Sequence, residues 1–216
     1  NIRRQEVFSL LSASRNFFIG SSVILLGSEL SIFFAGFYLE ASSLGAYSLG
    51  VRIATVVNMA LIGATVPAMQ SISRFAHEEK FRDMEKTAKK TARLAFFGAT
   101  FLYGIALCSV DILLYLFDLS FNSEIVFHTV AWVGGAYLLS AFLGPAGVVL
   151  NMSGRETSAN YSAILSLVVM GSIMFVLSDQ FGYLSVVLGF AFNIVVWKVS
   201  MTLLVRRFYK FWTVAI

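Results

Sequence analysis

The sequence predicts an all-α, polytopic transmembrane bundle of six helices, and three observations predict it. The first is composition, because 58% of the 216 residues are hydrophobic and only 13% are charged, whereas soluble domains carry roughly 25% charged residues. The second is the length of the apolar runs, six of which reach the roughly 20 residues that a helix needs to cross a bilayer. The third is a one-sided distribution of lysine and arginine among the connections.

The apolar runs define the predicted elements in chain order. Backbone groups in lipid must be satisfied within their own segment, so each run is expected to be a helix. None of the runs shows the alternation of a β-barrel strand. The polar segment between the second and third runs, residues 73–92, is predicted to be a cytoplasmic loop whose mixed charges are spaced as on a surface helix. The predicted spans cover residues 17–39, 44–72, 93–117, 126–150, 160–178 and 184–205.

We expect residues 1–216 to form a single six-helix membrane lobe. The chain begins with Asn1 rather than Met and shows no signal-peptide pattern, so we expect it to be a piece of a longer protein. Its one cysteine, Cys108, excludes a disulfide within the chain.

The basic residues predict the orientation of the spans. With six spans, alternate connections lie on opposite sides of the membrane. The sequence has sixteen Lys and Arg residues. Apart from Arg52 and Lys198, they all fall on the side that holds both termini. Because positive residues stay on the cytoplasmic side, we expect both the N- and the C-terminus to be cytoplasmic.

Three charges lie within the predicted spans, and they are the first candidates for function. They are Glu29, Arg52 and Lys198. A charge at the bilayer centre costs about 2.5–3.5 kcal/mol on insertion scales, so such residues are expected to pair or to line a polar cavity. Lys198 is expected either to extend to the headgroups or to be a cavity cation. Asp111 lies near the outer end of the third span, where it either caps the helix or has a functional role.

Glu29 and Arg52 are expected to lie at similar depth, since a short turn joins their two spans. They form either a satisfied buried ion pair or part of a hydrophilic cavity. In the second span, small side chains recur every four residues and predict a close helix contact. They belong to Ala46, Gly50, Ala54 and Asn58. Arg52 lies roughly opposite this stripe.

Signatures of catalysis are absent from the sequence. It has no G-x-x-x-x-G-K-[ST] phosphate loop and no G-x-S-x-G elbow. Two histidines and one cysteine lie far apart and predict no metal site. We therefore expect a protein that is not an enzyme and that has no cofactor beyond a proton or Na⁺ gradient.

Several short motifs, taken in order, resemble one family of membrane proteins. GAYSLGVR spans Gly45–Arg52, NMSGR spans Asn151–Arg155, and FGYLSVVLG opens the sixth span. With the acidic Glu29 at the centre of the first span, this order resembles the C-terminal half of lipid-linked oligosaccharide flippases. These O-antigen-type, polysaccharide-biosynthesis proteins belong to the MATE-like MOP superfamily. Glu29 stands where the family usually has Asp.

The resemblance implies one lobe of a transporter of twelve to fourteen helices in a bacterial inner (plasma) membrane. Such a protein flips undecaprenyl-diphosphate-linked oligosaccharide precursors, such as those of lipopolysaccharide, to the periplasmic leaflet by ion-coupled alternating access. Arg52 and Lys198 would bind the substrate as cavity cations, and Glu29 would couple a proton or ion. Asn151, Arg155 and Asp111 would have minor roles.

The implied partners are the lipid-linked oligosaccharide, an N-terminal lobe of the same protein, membrane lipids and polysaccharide polymerase machinery. Nucleic acid is not an expected partner. Two alternatives stay open. One is a multidrug, organic-cation antiporter of the same superfamily, although two buried bases against one buried acid favour an anionic substrate. The other is a non-transporting scaffold of a polysaccharide assembly complex.

Overall fold

The computed structural model describes residues 27–116 and 123–216, together with Phe18 and Ser22. All regular structure in these residues is helical. Helix α1 covers 27–38. The helices that follow are α2 (Ala41–His77), α3 (Phe81–Leu116), α4 (Ser123–Leu143), α5 (Ala146–Met152), α6 (Glu156–Phe181) and α7 (Tyr183–Tyr209).

Among the described residues, five helices are long and apolar enough to cross a membrane, namely α2, α3, α4, α6 and α7. They correspond to the second through sixth predicted spans and indicate a multi-pass membrane protein. The predicted first span, 17–39, lies partly outside the described residues, and its described part is helical.

The segment 73–92, for which the charge spacing predicts surface-helix character, is helical almost throughout. Helix α2 continues to His77 and α3 begins at Phe81, so three residues separate them. Both helices continue because apolar side chains keep their helical spacing: Ile72, Met84 and Ala88 are fully buried. A helix of 36 residues is about 54 Å long, whereas the hydrocarbon is about 30 Å thick. The α2–α3 hairpin therefore extends well past one membrane boundary.

The predicted fourth span, 126–150, is interrupted. Helix α4 ends at Leu143, and α5 begins at Ala146. Gly144 has φ +77°, a conformation that costs other residues energy, and Pro145 has no backbone N–H to continue the helix. The Gly-Pro pair therefore ends α4 and redirects the chain into the seven residues of α5.

The end of α4 is capped by the segment that follows α7. The last carbonyls of a helix have no partner within the helix. Here the carbonyl of Phe142 accepts a hydrogen bond from the Ala215 N–H at 3.0 Å. The carbonyl of Leu143 accepts one from the Thr213 hydroxyl at 2.7 Å. We call residues 210–216 the tail, and it holds the bend by satisfying these two groups.

The helices pack around two separate hydrophobic cores. Helix α2 contacts α3 and α4, α4 also contacts α3 and α7, α6 contacts α7, and α5 contacts α2, α6 and α7. The larger core, called the membrane core here, includes Tyr47, Val57, Val130 and Met174. The smaller one, called the lower core, joins the ends of α2, α3 and α7 to α5 and the tail. It includes Ile72, Met84, Leu150, Val205 and Phe211.

Contacts between helices indicate where the hydrocarbon ends. A Cβ on Gly98 of α3 would lie 3.3 Å from the Ala60 Cβ of α2. Because the two helices are antiparallel, counting five residues from this contact in each helix places Arg93 level with Thr65. Charges fill α3 up to Arg93 and are then absent until Asp111. We therefore place the lower membrane boundary near Arg93, with the lower core beyond it.

Candidate functional site

A mainly apolar cavity of about 310 Å³, with several polar side chains in its wall, lies among α2, α4, α5, α6 and α7, beside the break between α4 and α5. Pro145 forms part of its wall. Interrupted helices often line binding sites in membrane transporters, because unsatisfied backbone is tolerated there only beside protein or a polar cavity. The polar side chains around it are those of Asn58, Thr65, Tyr137, Ser140, Asn151, Glu156, Asn160, Trp197 and Lys198.

Lys198 lines this cavity close to the membrane boundary. A Cβ on Gly147 would lie 3.0 Å from the Met201 sulfur, and Lys198 precedes Met201 by about one helical turn. A Cβ on Gly144 would lie 2.7 Å from the Ala92 Cβ, which brings this bend to the level of Arg93. Lys198 therefore lies near the headgroup level, where a charge costs less than at the bilayer centre.

The Lys198 ammonium lies 5.4 Å from the centroid of the Trp197 ring. No ion pair involves Lys198 within the described part of the chain. Lys198 lines this cavity at the depth of the headgroups, a position that fits both a cavity cation and a lysine that extends toward the headgroups.

Two further side chains of the cavity have unmet hydrogen-bonding capacity. The Ser140 hydroxyl, on a residue 1% exposed, and the buried Trp197 indole N–H have no hydrogen-bond partner among the described residues. More than 90% of buried polar groups in proteins are satisfied. Together with the three donors of Lys198, these two buried donors lie close to one part of a wall that is otherwise mostly apolar.

The cavity also holds one carboxylate. Glu156 lies in the first turn of α6 and lines the same space as Lys198, but no ion pair within 4 Å joins the two residues in the described structure. The cavity therefore presents both signs of charge to a ligand that enters between them.

The NMSGR motif is divided between the cavity and the surface. Asn151 lines the cavity. Arg155 is exposed, and its guanidinium carbon lies 4.1 Å from the centroid of the Phe208 ring, so this arginine packs on α7 by a cation–π contact. Asn151 can therefore contact a ligand in the cavity, whereas Arg155 packs the start of α6 against α7.

Glu29 and Arg52 lie at matching depth but do not pair. A Cβ on Gly36 of α1 would lie 3.8 Å from Leu44 of α2, so these two positions lie at the same depth. Glu29 precedes Gly36 by seven residues and Arg52 follows Leu44 by eight, which places both charges at nearly the same depth. Both side chains are exposed, and no ion pair joins them in the described residues. Of the two alternatives for these residues, the buried ion pair is not formed in the described structure, because both side chains are exposed.

Arg52 also lies outside the cavity that holds Lys198. The small-residue stripe is buried as expected: Ala46 and Ala54 are fully buried, and a Cβ on Gly50 would lie 2.7 Å from the Thr129 Cβ of α4. Arg52 falls on the opposite, exposed face of α2. Asp111 is likewise exposed on α3, with no ion pair among the described residues.

Several cavity residues were not predicted from the sequence. Ser140, Trp197 and Glu156 carry no motif of their own, and Glu156 falls in a polar connection. One signal was available: the Gly-Pro pair within an apolar run marks an interrupted helix, and such breaks indicate binding sites in membrane proteins. Within the described residues, no group of three His, Cys, Asp or Glu side chains could hold a metal ion.

The fold defines a multi-pass helical membrane protein, and its mainly apolar cavity holds Lys198, Glu156 and several neutral polar side chains near one membrane boundary. No protein-family model, curated protein or solved structure matches the chain. The resemblance to the flippase family therefore stays a prediction that depends on the motifs alone.

Proposed function

We propose that the chain is the C-terminal six-helix lobe of a transporter that flips lipid-linked oligosaccharide. The substrate would be an undecaprenyl-diphosphate-linked precursor, moved to the periplasmic leaflet of the bacterial inner membrane by ion-coupled alternating access. The observation that carries the proposal is the group of hydrogen-bond donors around Lys198 in the cavity at the membrane boundary. A lipid diphosphate lies at the same depth, between its polyisoprenoid chain in the hydrocarbon and its glycan outside.

The donors of the cavity match the oxygens of a diphosphate. The Lys198 ammonium would give charge-assisted hydrogen bonds, which are shorter and stronger than neutral ones. The Ser140 hydroxyl and the Trp197 indole N–H would meet further phosphate oxygens. Each group thereby gains the partner that the described protein groups do not supply.

Glu29 and Arg52 have a different place in this proposal. Their exposed faces on α1 and α2 would meet the N-terminal lobe, where Glu29 would bind the coupling proton or ion and Arg52 would be its partner or a second substrate contact. Exposed apolar side chains accompany them, Phe33 and Phe37 on α1 and Met59 on α2, as a surface covered by protein or lipid would need.

The proposal is tested with the complete protein in a host that lacks its own copy of the gene. Lys198→Gln removes the cavity cation, whereas Lys90→Gln removes an exposed cation of α3 and is the matched control. We expect lipid-linked oligosaccharide to accumulate on the inner leaflet only with Lys198→Gln, by about tenfold for the loss of one charge-assisted contact. The readout is mass spectrometry with a glycosidase added outside. Normal sidedness at equal membrane levels would refute the role of the cavity.

An organic-cation antiporter is the second candidate, and Glu156 favours it. This carboxylate shares the cavity with the aromatic rings of Tyr137 and Trp197, and aromatic faces attract organic cations. For that function Glu156→Gln would abolish drug resistance, while Lys198→Gln would preserve or increase it. If the protein is the flippase, Lys198→Gln should change the sidedness of the oligosaccharide more than Glu156→Gln does.

A further inference from the structure

A second concave site lies on the outer surface between α6 and α7. This groove has a volume of about 420 Å³ and shares no lining residue with the central cavity. Helix α6 contributes Ser158, Tyr161, Ser162 and Leu165, and α7 contributes Ser200, Leu203, Leu204 and Arg207. The groove opens away from the bundle, toward the surroundings of the protein.

The groove crosses the depth of the lipid headgroups. A Cβ on Gly189 of α7 would lie 2.7 Å from the Met174 side chain of α6. Counting along this antiparallel pair places Leu165 level with Lys198, at the membrane boundary. Arg207 lies level with the start of α6, below that boundary. A phospholipid at the edge of the protein would therefore have its phosphate beside the lower part of the groove.

The lining residues combine one cation and several hydroxyls with leucine side chains along this axis. Arg207 is exposed and has no ion pair among the described residues, and its planar guanidinium fits a phosphate by paired hydrogen bonds. Tyr161, which is also exposed, supplies a phenol hydroxyl nearby. Leu165, level with the membrane boundary, and Leu203, about 8 Å below it, are each 51% exposed and add apolar contact area beside the hydroxyls.

We propose that the α6–α7 groove binds an anionic glycerophospholipid of the surrounding bilayer. Arg207 would bind the headgroup phosphate, and the hydroxyls of Tyr161 and Ser200 would donate to the phosphate and ester oxygens. The glycerol backbone would pass Leu203, and one acyl chain would begin against Leu165 at the boundary. The neighbouring Arg206 has a different role, because its guanidinium stacks on Trp212 at 4.3 Å from the ring centroid.

Native mass spectrometry of the purified full chain, with phosphatidylglycerol or phosphatidylcholine added, measures the retained lipid. The wild-type protein is expected to retain one phosphatidylglycerol more readily than phosphatidylcholine. Arg207→Gln should weaken this retention about tenfold, as expected for loss of a charge-assisted contact. Arg206→Gln, the matched control, should leave it unchanged. Leu203→Trp, which fills the groove without changing charge, should lower retention of both lipids.

Three results would overturn the proposal. Retention by Arg207→Gln equal to that of the wild type would show that the groove does not bind the phosphate. Equal losses with Arg206→Gln and Arg207→Gln would show a general effect of surface charge. Loss with Lys198→Gln alone would place the lipid in the central cavity. Circular dichroism of each variant shows whether it is folded. If Arg207→Gln does not fold, Leu203→Trp tests the groove in its place.

Discussion

The membrane core and the lower core are built by different physics within one chain. In the membrane core, helices approach through small residues, such as Gly50 against Thr129 and Gly134 against Tyr103. In the lower core, helix ends are joined by directional contacts, including the two tail hydrogen bonds and the packing of Arg155 on Phe208. The comparison teaches that helices within lipid are held by close backbone approach, whereas helix ends that pack into the lower core lose their water and need protein groups as caps.

The cavity lies where the two kinds of packing meet. The break between α4 and α5 lies at the border between the membrane core and the lower core. Its wall therefore combines apolar side chains above with the charges of Lys198 and Glu156 at the boundary. Variants that damage one core and spare the other would test this division.

The largest effect is expected from Gly144→Ala. Alanine at φ +77° is strained, and its Cβ would overlap the Thr213 carbonyl oxygen and press on Ala92. We expect a loss of about 2–4 kcal/mol, with release of the tail, measured as a lower Tm and faster proteolysis of the tail. Gly154→Ala is the matched control, since Gly154 has φ +73° but open space around it. Equal losses would assign the effect to backbone strain alone.

A smaller effect is expected from Gly50→Ala in the membrane core. The added Cβ would lie 2.7 Å from the Thr129 Cβ, so α2 and α4 must separate, at a cost of about 1–3 kcal/mol. Thermal unfolding in detergent measures it. Gly63→Ala on the same helix meets no atom within 4 Å and should be neutral or stabilising. If both variants lose stability equally, close helix approach does not hold this core together.

The smallest effect concerns the tip of the α2–α3 hairpin. The Lys80 ammonium, 2.7 Å from the Glu78 carboxylate, lowers the pKa of Glu78 from its usual 4.5 by hydrogen bonding. A carboxyl with a lowered pKa contributes stability above its unfolded pKa and loses it as the pH falls through the folded value. The Tm difference between wild type and Glu78→Gln should therefore be small at pH 7 and vanish as the pH falls below 4.5. A difference that grows in acid would contradict this.

The sequence was sufficient for the second, third, fifth and sixth predicted spans but not for the contacts between charges. Hydropathy located α2, α3, α6 and α7 because lipid imposes a length on each apolar run. The four-residue stripe of α2 located its packing face. The pairing of Glu29 with Arg52 failed because equal depth does not determine direction around a helix axis, which depends on packing against other helices.

The lower core was missed for a related reason. The charges of residues 73–92 predict a surface helix in the connection, but they do not indicate that Ile72, Met84 and Ala88 continue the buried positions of α2 and α3. The capping of α4 by the tail joins residues too distant in sequence for any local pattern to show it. Ser140 and Trp197 became candidates only when the structure showed their unmet hydrogen bonds.

The capping of α4 by the tail also sets an order for biosynthesis. Thr213 follows Leu143 by 70 residues, and a ribosome makes the chain from its N-terminus. The end of α4 therefore leaves the ribosome long before its caps exist, and α6 and α7 must be inserted into the bilayer first. Until then water or lipid headgroups must hydrate the carbonyls of Phe142 and Leu143. The cavity wall is thus completed in one of the last steps of assembly.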